Sequence, residues 1–183
     1  MVSQSRSTLL LVLCAALAPA QDKLNLGLSS PEDGIVYQFQ LRAVRAGSGL
    51  DPVVASRNGG GAGFAAVFGD TRLRLRLRLD GDSFPGRDGK GPVSTFGLGA
   101  EGILFLPELG RLTPFLSMGA AFQRWSVAQE DRLPVRSRNA SHPAGRAELG
   151  LRLGRRLALS LGVLVGKAID DRTAANPYLA VTF

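Results

Sequence analysis

The sequence is short of the residues that most site chemistry uses. It has one Cys, one His, one Trp and two Tyr in 183 residues. A single Cys excludes a disulfide framework and any Cys-rich zinc site. A single His excludes multi-His metal sites and most Ser/His designs. The apolar run Leu9–Leu17 is well below the roughly 20 residues that a membrane-spanning helix needs. Acidic residues are the minority, 15 against 22 Lys and Arg, so the formal net charge is +7. Such a balance first suggests nucleic acid, but the placement of the Arg residues has to decide. Hydrophobic residues make up 45% of the chain, enough for a core or an apolar surface, which argues against disorder.

The first twenty residues read as an address. Met1–Thr8 is polar and carries Arg6, Leu9–Leu17 is apolar, and Ala18-Pro19-Ala20 offers small residues before a cut at Gln21. These are the three regions of a cleaved secretory signal. A lipoprotein alternative would use Cys14, but Leu13 is not the small residue such a cut needs. The expected division is therefore residues 1–20 as signal and 21–183 as the mature chain. An exported protein meets no chromosome, so no nucleic-acid partner is expected.

The period along the mature chain is two. In Thr71–Asp80, Leu takes every odd position and Arg every even one between Arg72 and Leu79. On a helix this spacing would scatter Arg around the circumference. On a strand it puts all Leu on one face and all Arg on the other. Similar alternation runs through Ile35–Val44, Thr95–Leu106, Leu112–Gln123, Arg146–Leu153, Arg156–Val165 and Pro177–Phe183, and more weakly through Gly59–Phe68. The result is eight expected strands and no amphipathic helix. Connections are long at Ala46–Asn58, Gly81–Val93 and Ala128–Ala144, and middling at Asp170–Ala175. They are short at Gly69-Asp70, Pro107–Gly110 and Gly154-Arg155. Long loops thus alternate with tight turns, as in an even-stranded antiparallel barrel whose strands cross a bilayer. The expected fold class is all-β, an eight-stranded antiparallel up-and-down transmembrane barrel.

With these strands in hand, the chain resembles the small eight-stranded outer-membrane barrels of the OmpA/OmpX type, without an attached periplasmic domain. The segment Leu112-Thr113-Pro114-Phe115-Leu116-Ser117-Met118-Gly119-Ala120 is similar to the start of an up-going strand in that family. The chain also ends on Phe183 after Tyr178, Leu179 and Val181, which resembles the family's C-terminal assembly signal. The resemblance implies export to the outer membrane of a Gram-negative-type bacterium. It implies lipid, lipopolysaccharide and the barrel-assembly machinery as partners, and a monomer. One Trp and two Tyr are few for two interfacial girdles, although Phe can substitute in part.

In this frame Leu faces lipid and Arg faces the lumen. The inward charges are Arg42, Arg72, Arg74, Arg76, Arg78, Arg146 and Arg152 against Glu101 and Glu148. Five positive charges are then left without a partner in the wall, and buried charges must be paired or wet. Gly97, Gly99, Gly119, Gly150 and Gly162 share the inward face and leave room for long side chains. Asp80 and Asp82 are expected beyond Arg78, near the loop side. Two interiors are possible. One is a hydrated polar plug. The other is an Arg-lined lumen that prefers anions. A third arrangement inverts the faces and gives a soluble barrel with a Leu-lined cavity.

Motifs for chemistry fail their context tests. Gly97–Gly102 spells the dinucleotide fingerprint, but Ile103–Leu106 continues a strand where that site needs a helix. Gly59-Gly60-Gly61 lacks the Lys of a phosphate loop and reads as flexible loop. Asn139-Ala140-Ser141 spells a glycosylation acceptor. Asp170-Asp171 offers too few oxygens for a cation. Ser141, His142 and Glu148 are the one conceivable catalytic set, in view of lipid A-modifying barrels of this membrane. However, His142 is expected in a polar loop, and Lys167–Thr173, where the deacylases carry His and Ser, has neither. No enzyme activity, cofactor or metal is expected. The expected role is membrane integrity or surface interaction through the long loops, with a narrow anion pore or a lipid A-modifying enzyme as alternatives.

Overall fold

The computed structural model describes residues 35–69, 72–88, 91–129, 136–154 and 157–183. The signal segment 1–20 lies outside the described residues. Eight strands follow in chain order: β1 Ile35–Arg45, β2 Asn58–Phe68, β3 Leu73–Phe84, β4 Val93–Phe105, β5 Leu112–Gln129, β6 Arg136–Leu153, β7 Leu157–Lys167 and β8 Thr173–Thr182. Each pairs antiparallel with its sequence neighbours, and β1 pairs with β8, so the sheet closes into a barrel with no free edge along its closed part. Closure is held at the seam by reciprocal backbone bonds between Phe39 and Phe183, at 3.1 and 2.8 Å. Gly69, Gly110 and Gly154 have positive φ in the three short turns, where only glycine avoids a Cβ penalty.

The side-chain parity follows the sequence pattern. Leu73, Leu75, Leu77 and Leu79 are exposed, while Arg76 and Arg78 are buried in the lumen. Phe96, Leu98, Met118, Phe122, Leu149, Leu161 and Leu179 join the Leu row in a belt around the outside. The inverted arrangement with Arg outside is therefore excluded.

Several strand ends differ from the sequence expectation. β3 continues to Phe84, so Gly81–Phe84 is wall rather than loop. Gly59-Gly60-Gly61 lies within β2, paired with Val44, Ala43 and Arg42, and is not a flexible loop. β5 and β6 are 18 residues each and stay paired from Leu112↔Leu153 to Gln129↔Arg136. Most of the expected 128–144 loop is thus a hairpin, and His142 sits on a strand. The reason is common to all three: backbone pairing with a neighbour continues through polar or Gly-rich residues that carry no apolar alternation of their own.

The interior is layered. At the long-loop end a cluster of Leu50, Phe84, Val93, Trp125, Val127 and Ile169 fills the mouth. Leu50 comes from a 3-10 turn at Ser48–Leu50, and Asn176 on β8 accepts the Gly47 N–H at 2.8 Å, which fastens that turn inward. Near the short-turn end Val67, Ile103, Phe115 and Ala158 form a second apolar layer. The charged residues lie between the two. Trp125 is 1% exposed. Its fluorescence is therefore expected to resist aqueous iodide in the folded protein and to become quenchable on unfolding. Quenching as efficient as that of free tryptophan before unfolding would contradict a filled mouth.

Candidate functional site

The site with the densest chemistry is the mid-height lumen. Strands β3, β4, β6 and β8 bring its groups together because the register sets them level. Arg76 is opposite Glu101, Glu101 opposite Gly119, and Gly119 opposite Arg146. Glu148 is opposite Gly162, and Gly162 opposite Tyr178. A large inward side chain thus faces a glycine on the next strand, time after time. Arg42 faces Gly61, Arg78 faces Gly99, and Gln123 faces Gly97. A small barrel has room for long side chains only where the neighbour gives up its own.

Glu101 is the hub. It accepts from Arg76 through both Nε (3.1 Å) and Nη2. Arg146 Nη1 donates to it at 3.2 Å, and Arg78 Nε lies 3.4 Å away. The Ser117 hydroxyl adds a bond at 3.2 Å. Glu148 accepts from Arg78 Nη2 at 3.1 Å and from the Tyr178 hydroxyl at 2.9 Å. Higher up, Asp80 takes Arg146 at 2.5 Å and Arg42 at 3.2 Å, and Asp82 takes Arg42 at 2.7 Å. The guanidinium groups of Arg42 and Arg146 also stand over the Tyr178 ring, at 5.5 and 5.9 Å from its centre.

This changes the charge balance. Arg42, Arg76, Arg78 and Arg146 are matched by Asp80, Asp82, Glu101 and Glu148, all eight buried. The mid-height lumen is neutral, and the expected excess of five cations in the wall is corrected. Two carboxylates, Asp80 and Asp82, were placed by sequence near the loops. They continue the even-numbered inward face of β3 beyond Arg78, and that parity was the signal that could have found them. Tyr178 was assigned to the assembly signal, yet its side chain is 4% exposed inside the lumen. Leu179 is exposed on the opposite face of β8, and Val181 and Phe183 follow it at spacing two.

Three of the predicted cations stand apart from this network. Arg72 is exposed, and Arg74 and Arg152 are half-buried at the short-turn mouth beside Phe105. The conceivable catalytic set is also not assembled. Ser141 is exposed on the outer face, and His142, half-buried, lies 3.9 Å from Asp171. Glu148 is six residues along the same strand from His142, about 20 Å at strand rise, and is held by Arg78 and Tyr178. Among the described residues no group of three His, Cys, Asp or Glu side chains is placed to hold a metal ion.

Outside the barrel wall, the long loops strap one another at that end. The Ala55 N–H donates to Pro85 at 2.9 Å and the Arg87 N–H to Val53 at 3.0 Å. Asp51 and Arg57 form an exposed pair, and the Arg57 hydrogen bond holds the Asp51 carboxyl below its usual range.

No family model and no curated protein matches this chain. Solved structures do. Ail, the attachment invasion locus protein of Yersinia pestis, is similar with a TM-score of 0.55 at 12% identity, over 81% of this chain and 97% of that one. The outer membrane enzyme PagL is similar with a TM-score of 0.56 at 9% identity, over 80% and 98%. The chain therefore shares the closed eight-stranded fold of small outer-membrane barrels.

Proposed function

We propose that this protein resides in the outer membrane, exported by a cleaved signal, and acts through its surface rather than through a pore or an active site. The belt of exposed Leu, Phe and Met supports the membrane reading, because soluble proteins rarely leave so continuous an apolar surface in water. The observation that carries the functional reading is the filled interior. A neutral network of four cations and four carboxylates lies between two apolar layers. An anion-preferring pore needs an unsatisfied positive constriction along a wet path, and the paired mid-height Arg residues offer none. No cofactor enters this reading. Its partners are outer-membrane lipid, lipopolysaccharide and the assembly machinery, with Leu179, Val181 and Phe183 as the outward part of the assembly signal. The protein acts as a monomer.

The longest strands are β5 and β6, of 18 residues each. β6 meets β7 only from Ala144, so residues 136–143 continue beyond that partner, paired to β5 alone. Arg124 and Ser141 are exposed on the outer face of this hairpin. Such a projection suits contact with a neighbouring surface, and one structural neighbour is named for attachment and invasion.

The test has two arms. Membrane fractions should hold the protein with heat-modifiable gel mobility, and reconstituted protein should give no conductance steps in planar bilayers. Shortening the β5–β6 hairpin should leave mobility intact and reduce adherence of expressing cells. Solubility of the mature chain without detergent would sink the membrane reading. Steady anion-selective conductance, or adherence indifferent to the hairpin, would sink the surface reading.

A further inference from the structure

The apolar belt has a sharp upper border on the outer face of β5. Leu112, Pro114, Leu116, Met118, Ala120 and Phe122 point outward, and the next outward side chain is Arg124. Leu112 to Phe122 is ten residue steps, about 34 Å of strand, or about 26 Å of height at a tilt of about 40°. An outer-membrane barrel presents an apolar band of about that height, ~25 Å. Arg124 thus stands just beyond the band at the long-loop end, where lipid headgroups begin. It is opposite Phe96 on β4 and Ser141 on β6. One level further out, Ser94 is opposite Ser126. Arg124, Ser94, Ser126 and Phe96 line a cavity of about 310 Å³ on the outer wall. Arg124 is exposed there, open to a ligand from the membrane side. From the cavity towards mid-height, β6 turns only Pro143, Gly145 and Ala147 outward. Phe122 and Met118 of β5 flank this stretch on one side, and Val163 and Val165 of β7 on the other. A Cβ at Gly145 would meet only the Val165 carbonyl oxygen, at 3.9 Å, so the floor of this trough is open.

We infer that this wall seats a membrane lipid by its phosphate, with the phosphate on Arg124 and an acyl chain in the trough along β6. The inference rests on the outer-membrane placement proposed above. The planar guanidinium fork matches two phosphate oxygens in a bidentate way. The Ser94 and Ser126 hydroxyls supply donors for a further oxygen. At the border of the hydrocarbon the surroundings are less polar than water, so an anion on Arg124 gains more than it would in solution. The trough gives the chain of a lipid an apolar bed. A soluble phosphate gains nothing from that bed, and this favours a lipid as the occupant.

The probe is phosphatidic acid, a minority lipid in phosphatidylcholine nanodiscs that hold the purified protein. Phosphatidic acid carries an open phosphate, whereas phosphatidylcholine covers its own with a choline cation. Native mass spectrometry after ejection from the disc reads which lipid stays bound. Phosphatidic acid is expected to be retained well above its share of the disc. Arg124→Gln should lower that enrichment about tenfold, the scale of losing one charge-assisted bidentate contact. Gly145→Ile should lower it too, by filling the trough without touching Arg124. Arg45, exposed at the end of β1, is the control, and Arg45→Gln should leave the enrichment unchanged. Heat-modifiable mobility confirms that each variant is folded. A chain that does not enter the disc overturns the outer-membrane placement and this inference together. A chain that enters it folded, but holds phosphatidic acid no better than phosphatidylcholine, overturns this inference alone. So does enrichment that survives Arg124→Gln or Gly145→Ile, or that falls equally with Arg45→Gln.

Discussion

Replacing Glu101 with Leu is expected to lower the unfolding free energy by about 3–5 kcal/mol, the scale for stranding a buried charge. Three arginines converge on this carboxylate: Arg76, Arg78 and Arg146. Ser117 loses its acceptor at the same time. Arg78 and Arg146 retain Glu148 and Asp80, so the greatest loss falls on Arg76, whose remaining carboxylate contact is to Glu148 at 3.4 Å. Removing Arg76 together with Glu101, as Arg76→Met/Glu101→Leu, should recover part of the loss, because a buried pair can be exchanged for apolar volume far more cheaply than it can be halved. Denaturant titration of the protein in vesicles, read by Trp125 fluorescence, measures both. A loss below about 1 kcal/mol for Glu101→Leu would mean that water, not protein, neutralises the lumen arginines.

Gly119→Val is the second large effect. A Cβ at Gly119 would fall 2.6 Å from the Glu101 Cα and 2.8 Å from its Cγ, and against the Ala100 carbonyl oxygen. Backbone atoms of a paired strand cannot swing aside as a flexible side chain can. Overpacking typically costs about 1–3 kcal/mol, and here it also pushes on Glu101 and Arg146, the two residues that Gly119 faces in the ladder. The expected outcome is a loss of at least about 3 kcal/mol, seen as loss of the compact, heat-modifiable band. Gly102 is the matched control. It lies on the outer face of β4, where a Cβ meets only the Met118 oxygen, at 4.0 Å. Gly102→Val should be neutral or slightly stabilising, since a β-branched residue suits a strand better than glycine does. Equal damage from both substitutions would mean that backbone freedom, rather than interior space, is what the glycines supply.

Much of this architecture was legible in the chain. The Leu/Arg alternation of β3 assigns its faces without any tertiary information, because successive Cβ atoms of a strand must point to opposite sides. The glycines at 97, 99, 119, 150 and 162 were legible as small inward residues for the same reason. The errors came where local pattern stopped. Asp80 ends the legible alternation of β3, and the Gly81-Asp82 step looks like a loop. They are strand because β2 and β4 supply partners on both sides, Gly61 and Thr95 for Asp82. The β5–β6 hairpin was missed likewise: residues around His142 lack apolar alternation, and pairing with Gln123 and its neighbours makes them strand.

The charge surplus shows the same division. Sequence alone determined that a row of arginines would share one face of a strand, that the face opposite would be Leu, and that the strand number would be even with long and short connections alternating. These are consequences of a two-residue period and of chain continuity, and both are local. Which charge meets which was decided only by closing the barrel. Arg42 and Asp82 are 40 positions apart, and Arg78 and Glu148 are 70 apart, yet each pair is within about 3 Å across the lumen. Inter-strand register and barrel diameter set those distances, and neither is written in any single segment. The tertiary structure thereby neutralised four arginines at mid-height, Arg42, Arg76, Arg78 and Arg146, with carboxylates from other strands.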